Sequence, residues 1–184
     1  GKSTVSIKVS YDPDDLNEKS GASIHGEDGS IELWVAVIEK AYAEYKGGSG
    51  KGDKDGGYKK LNGGMAGSAL KTLTGEDVTT HLCMLNPSDT IATDLSEALA
   101  QKKPVTASTS FMPLHKKLMK SKEVVPNHVY TVTEVQGTGQ QASIFLRNPW
   151  GTRKTYQEAK SPDDTAWVGA AKVVLSAAEF KKIF

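Results

Sequence analysis

The sequence predicts an α+β fold, because helix-like spacing and strand-like alternation fall in separate blocks of the chain. Apolar residues recur at three- and four-residue steps over 31–46 and within 86–102, whereas 4–10, 104–110, 128–147 and 172–175 read as strands. A turn, Gly137-Thr138-Gly139, joins the two halves of 128–147 into a hairpin, since glycine accepts the positive φ that hairpin loops demand.

Taken in order, Thr4–Ser10 alternates as a half-buried strand should. After a polar stretch, Ile31, Trp34, Val35, Ile38, Tyr42 and Tyr45 mark one face of a helix. Ser30 can cap it, with Glu32 near the positive end of the helix dipole. The glycine-rich segment 47–64 is loop by composition. It is no phosphate loop, because Gly-Lys-Gly-Asp follows a helix where Gly-Lys-Ser/Thr should follow a strand. The apolar helix face before it needs a partner, which favours a surface insertion within one domain, 1–184, over a linker.

A short helix over Met65–Leu73 should stop at Gly75, and Val78–Leu85 reads as extended. Asn86-Pro87 resembles an N-cap and first helical position for a helix to about Lys102, with Ile91, Leu95, Ala98 and Leu99 buried. Pro104–Ser110 reads as a strand, and 111–126 as a mobile basic loop carrying Met112, His115 and Met119. Lys172–Leu175 is a last strand, and Ser176-Ala-Ala-Glu179 fits a capping box for a terminal helix.

Bulk properties exclude several functions. The 184 residues carry 23 basic and 22 acidic side chains, so no electrostatic case for nucleic acid or an anionic membrane arises. One cysteine excludes an internal disulfide and a cysteine-rich zinc site. No apolar run approaches the roughly 18 residues that suggest a membrane span. The strand-like start shows no secretion signal, although a leader could have been removed from a longer precursor. Localisation stays open, with a soluble, cytoplasmic chain as the default expectation.

The hairpin carries the chemistry. Val129, Thr131, Thr133 and Val135 alternate with Tyr130, Val132 and Glu134, and Ser143, Phe145 and Arg147 with Ile144 and Leu146. A turn centred on residue 138 gives cross-strand partners an index sum of 276, which His128 and Asn148 share. A one-residue slip would turn the two to opposite faces. Opposed, the carboxamide can fix the tautomer of the imidazole, and the second ring nitrogen can exchange a proton with a thiol. Trp150 could cover their contact. The bland alternative is a partly buried histidine beside an Asn-Pro-Trp-Gly turn.

These residues resemble the calpain-type cysteine proteases. His128-Val-Tyr130 and Leu146-Arg-Asn-Pro-Trp-Gly151 are similar to the histidine and asparagine strands of their second catalytic subdomain. Glu32-Leu-Trp34 running into Glu39-Lys-Ala-Tyr-Ala43 resembles the opening helix. Gly63-Gly64, Ala69-Leu70 and Leu73-Thr-Gly75 resemble the short helix after it, and Val174-Leu-Ser-Ala-Ala-Glu-Phe180 the family's ending. The likeness runs from about Ser6 onward.

It implies a papain-like second lobe, a twisted antiparallel sheet with peripheral helices, facing a first lobe across a cleft. It further implies His128 as general base and acid, Asn148 as its orienting partner and Trp150 as their shield, acting on a protein or peptide substrate. The cysteine nucleophile and its oxyanion glutamine would come from an N-terminal lobe outside this chain, so the chain alone is expected to be inactive. Calpains carry an acidic calcium ligand shortly after Asn-Pro-Trp-Gly. Thr152, Arg153 and Lys154 stand there, so no cofactor is expected. Asp163-Asp164 alone fall short of the 6–8 oxygens calcium takes.

Two other readings remain at this stage. The lobe could persist as a non-catalytic interaction or regulatory module, because folds outlive their chemistry. Cys83 could serve with His128 as a complete hydrolase. Yet His81-Leu-Cys-Met-Leu85 is an apolar run ahead of the Pro87 helix start, and a structural cysteine is the expectation there.

Overall fold

The computed structural model describes residues 4–9, 33–47, 57–61, 64–109, 115–149 and 170–184. The chain divides into two compact units, 1–79 and 80–184.

In the first unit, helix α1 spans Leu33–Gly47 and α2 spans Ala66–Thr74. The expected strand at the N-terminus does not form over 4–9, where Val5 lies open to solvent. Ile31, Ser30 and Glu32 fall outside the described residues. The buried positions of α1 are Ala36 and Ala43, not the bulky stripe: Trp34 is 61% exposed, and Ile38 and Tyr45 are exposed too. At Ala43 the reason is a close approach. Segment 57–61 lies against α1, with Gly57 at φ 80 and so near that a Cβ there would run into the Ala43 carbonyl. Only small side chains permit that spacing. Helix α2 ends as expected, with Gly75 at φ 70 donating its N–H to the Lys71 carbonyl at 2.9 Å.

The second unit holds a four-stranded antiparallel sheet in the order β1-β2-β3-β4. Its strands are β1 (Thr106–Ser108), β2 (Val129–Gln136), β3 (Ser143–Arg147) and β4 (Lys172–Ser176). Helices α3 (Ser88–Ala100) and α5 (Ala177–Ile183) pack on one another and against the sheet. A core of Ile91, Met119, Tyr130, Val132, Ile144, Leu146, Leu175 and Phe180 fills the space they enclose. The α+β expectation holds, with the antiparallel sheet and peripheral helices of the papain-like lobe.

Residues 78–85 take no place in the sheet, and Cys83–Leu85 form a 3-10 turn. Asn86 does not cap α3: its side-chain amide donates to the Leu82 carbonyl at 3.0 Å, and Pro87 holds the N-cap position. Within the supposed loop, residues 111–114, including Met112, are outside the described set, as is Ser110 at the end of the expected strand. The middle of the loop forms helix α4, Lys116–Ser121, with Met119 buried. After α4, Glu123 adopts φ 54, and the Val124 N–H reaches the Met119 carbonyl at 2.8 Å. This left-handed stop sets Val124 beneath Met119 and turns the chain toward β2. The capping box at α5 forms as expected, Glu179 N–H donating to Ser176 Oγ at 3.2 Å and Ser176 N–H to Glu179 Oε2 at 2.9 Å.

The hairpin register differs from the expected one. Near the turn Gln136 pairs with Ser143 and Val135 with Ile144, an index sum of 279. Beyond Val132 the pairs are Val132–Leu146 and Thr131–Arg147, a sum of 278. A bulge between Val132 and Glu134 absorbs the difference, with Thr133 as its extra residue. Side-chain burial follows: Tyr130 and Val132 point inward, Thr133 and Glu134 both lie outside, and Val135 turns in again.

Candidate active site

The bulge decides which side chains can meet. Carried unbroken from the turn, a sum of 279 would place His128 and Asn148 on opposite faces. The extra residue restores an even sum, and both face inward. They are diagonal neighbours rather than direct partners, still within reach of long side chains. His128 Nε2 lies 2.9 Å from Asn148 Oδ1. A carboxamide oxygen only accepts, so Nε2 carries the proton and, in the neutral ring, Nδ1 is the basic nitrogen.

Backbone anchors fix both residues from the outer strands. The β2–β3 ladder ends at Thr131–Arg147, short of both. Asn148 donates its N–H to the Ala171 carbonyl at 2.8 Å, in the approach to β4. His128 is held on the other side by Thr109, the residue following β1. Ahead of it, Pro126 and Asn127 form a turn in which Asn127 takes φ 50, a value asparagine tolerates. Val125, just before this turn, donates its N–H to Tyr130 Oη at 2.8 Å.

Aromatic rings support the imidazole from below. Tyr130, fully buried, and His128 meet in a T-shaped arrangement with centroids 5.1 Å apart. Phe184 meets Tyr130 at 5.9 Å, and Phe180 stacks on Phe184 at 4.6 Å. Burial lowers the pKa of His128, and the Asn148 hydrogen bond partly counters it. The ring is thus disposed to be neutral, the form that accepts a proton. Burial also raises the Tyr130 phenol.

Of the sequence-predicted site residues, His128 and Asn148 come together. Trp150, Thr152, Arg153 and Lys154 lie outside the described residues. Cys83 is half-buried against the core, and burial raises its thiol pKa, against nucleophilic use. Two residues of the site, Thr109 and Tyr130, do not emerge as candidates from sequence reasoning. The aromatic two places after His128 is a visible sign for Tyr130, whereas Thr109 becomes apparent only through the β1–β2 register, in which Ser108 pairs with Val129. Among the described residues, no group of three or more His, Cys, Asp or Glu side chains could hold a metal ion. No described helix is long and apolar enough to cross a membrane.

Known proteins resemble this chain over most of its length. A family model described as "Calpain family cysteine protease" matches residues 9–180. Calpain clp-4 of Caenorhabditis elegans is 26% identical over 148 residues, covering 78% of this chain and 19% of that protein. The human calpain-1 catalytic subunit is 30% identical over 133 residues, 70% of this chain and 17% of its own length. Calpain-13 of Rattus norvegicus is 29% identical over 132 residues, 70% and 18% respectively. The aligned part is thus less than a fifth of each of these relatives.

Proposed function

Because the chain belongs to the calpain family of cysteine proteases, we propose that it is the His/Asn-bearing lobe of an endopeptidase cleaving peptide bonds in proteins. A Cys-bearing lobe of the same full-length protein would supply the nucleophile. The reading rests above all on the 2.9 Å contact between His128 Nε2 and Asn148 Oδ1.

The chemistry follows from that contact. Asn148 holds the Nε2–H tautomer, so Nδ1 takes the thiol proton and an imidazolium–thiolate pair forms. The thiolate attacks the scissile carbonyl, and the imidazolium passes its proton to the leaving amine. Neutral again, His128 draws a proton from the water that hydrolyses the acyl-enzyme. Trp150 would shield the His128–Asn148 bond from water. Thr152-Arg153-Lys154 do not fit a calcium ion, because two cationic side chains repel it. A calcium titration should therefore show no tight, saturable binding at these residues.

The test joins the chain to the Cys-bearing lobe and offers a protein substrate. Thiol-reagent-sensitive cleavage that His128→Ala abolishes is the expected result. No cleavage by the joined lobes would turn the assignment toward an interaction module. Hydrolysis by this chain alone, lost on Cys83→Ser, would place the nucleophile at Cys83 instead.

A further inference from the structure

We propose that Thr109 is a positioning residue for His128, its hydroxyl serving as the backbone partner that holds the imidazole in register with Asn148. The role in catalysis rests on the protease reading above, whereas the positioning itself does not.

Three contacts join the two residues. The His128 carbonyl accepts from the Thr109 N–H at 2.8 Å and from Thr109 Oγ1–H at 3.1 Å. The His128 N–H donates to the same Oγ1 at 2.8 Å. In an antiparallel sheet, a hydrogen-bonded pair exchanges two backbone N–H···O=C bonds. Here one of the two is replaced: where the Thr109 carbonyl would accept from His128, its side-chain oxygen does so.

This substitution matters because of where it occurs. Strand β1 ends at Ser108, and the β2–β3 ladder stops at Thr131–Arg147. His128 thus lies beyond both ladders, after a turn containing the left-handed Asn127. Its backbone direction governs where the imidazole points, and the Thr109 hydroxyl grips both its N–H and its carbonyl. Thr109 is 7% exposed, so water is a poor replacement for the lost hydroxyl. Valine has nearly the same shape but would leave the His128 N–H facing methyl groups, an arrangement relieved by rotating the peptide. Serine keeps the oxygen.

The test reads the imidazole itself. In the unmodified protein the His128 amide should exchange slowly with solvent, and its ring nitrogens should report a single Nε2–H tautomer by NMR. Thr109→Val should mix the tautomers, and Thr109→Ser should restore the native pattern. A His128 amide exchanging as fast as an exposed one would overturn the proposal, whether or not the variants fold. So would a Thr109→Val protein that melts lower yet keeps the single tautomer, because Thr109 would then be merely structural.

Joined to the Cys-bearing lobe, Thr109→Val should lower kcat roughly tenfold to hundredfold with little change in KM. Equal kcat values in the native enzyme and its Thr109→Val variant would overturn the catalytic role. A native enzyme without activity would instead refute the protease reading, with the imidazole measurements still deciding Thr109.

Discussion

Asn148→Ala is the most informative single change. The carboxamide is 2% exposed and accepts from His128 Nε2 at 2.9 Å. Truncation leaves that N–H facing a void in a half-buried pocket, which costs about 1–3 kcal/mol. For a chain of this size, each kcal/mol moves the melting temperature by about 2–4 °C, so a fall of roughly 2–12 °C is expected. The imidazole should respond as well. The Asn148 bond raises the His128 pKa against the larger lowering by burial, so removing it should drive that pKa further down. Asn148→Asp should do the opposite, because a neighbouring carboxylate favours imidazolium. Thermal melts and NMR titration of the His128 ring in all three proteins provide the measurement. Identical titration curves would refute the contact as the determinant of the imidazole's state.

Further expectations concern pH, the support beneath the imidazole and the bulge. The folded His128 binds its proton less readily than the unfolded chain does, so its contribution to stability is full above the ordinary 6.5 and is lost as pH falls through the folded value. Burial raises the Cys83 thiol above its ordinary 9.0, so stability falls again as pH rises from 9.0 through the folded value. Urea midpoints across this range should form a plateau between those limits, and a monotonic profile would contradict it. Tyr130→Phe leaves the buried Val125 N–H without its acceptor and should cost about 1–3 kcal/mol in a denaturant melt, with the ring contact to His128 retained. Deleting Thr133 removes the residue that the ladder leaves out, together with its hydroxyl bond to the Phe145 carbonyl at 3.3 Å, so the His128–Asn148 bond should survive in NMR spectra. Inserting one alanine between Tyr130 and Thr131 should break that bond by turning His128 to the outer face.

How far the sequence could be read is clearest along the hairpin. Its strands, its glycine turn and the meeting of His128 with Asn148 were legible from alternation and from the motif around each residue. The index sum of 276 was not correct, because Gly139–Gln141 form a 3-10 turn that lengthens the connection. The contact survived through the bulge. That bulge had a trace in the sequence: Val132 and Val135 are separated by two polar residues, Thr133 and Glu134, where strict alternation allows one. Helix α4 escaped notice because only Leu118 and Met119 are apolar in Lys116–Ser121, and His115 makes no side-chain cap. The bulky stripe of α1 misled for a different reason. Contact there is limited by how near two backbones can come, which periodicity does not encode, and the alanines took the inner positions.

The hydrogen bond between Asn148 and Ala171 bears on chain length. It ties Asn148 to Ala171, so the chain between these two residues closes a loop whose ends this bond holds together. Doubling or halving such a loop changes its closure entropy by only about 0.6 kcal/mol. A change in the length of the chain between these two anchors therefore leaves the Asn148 backbone contact in place.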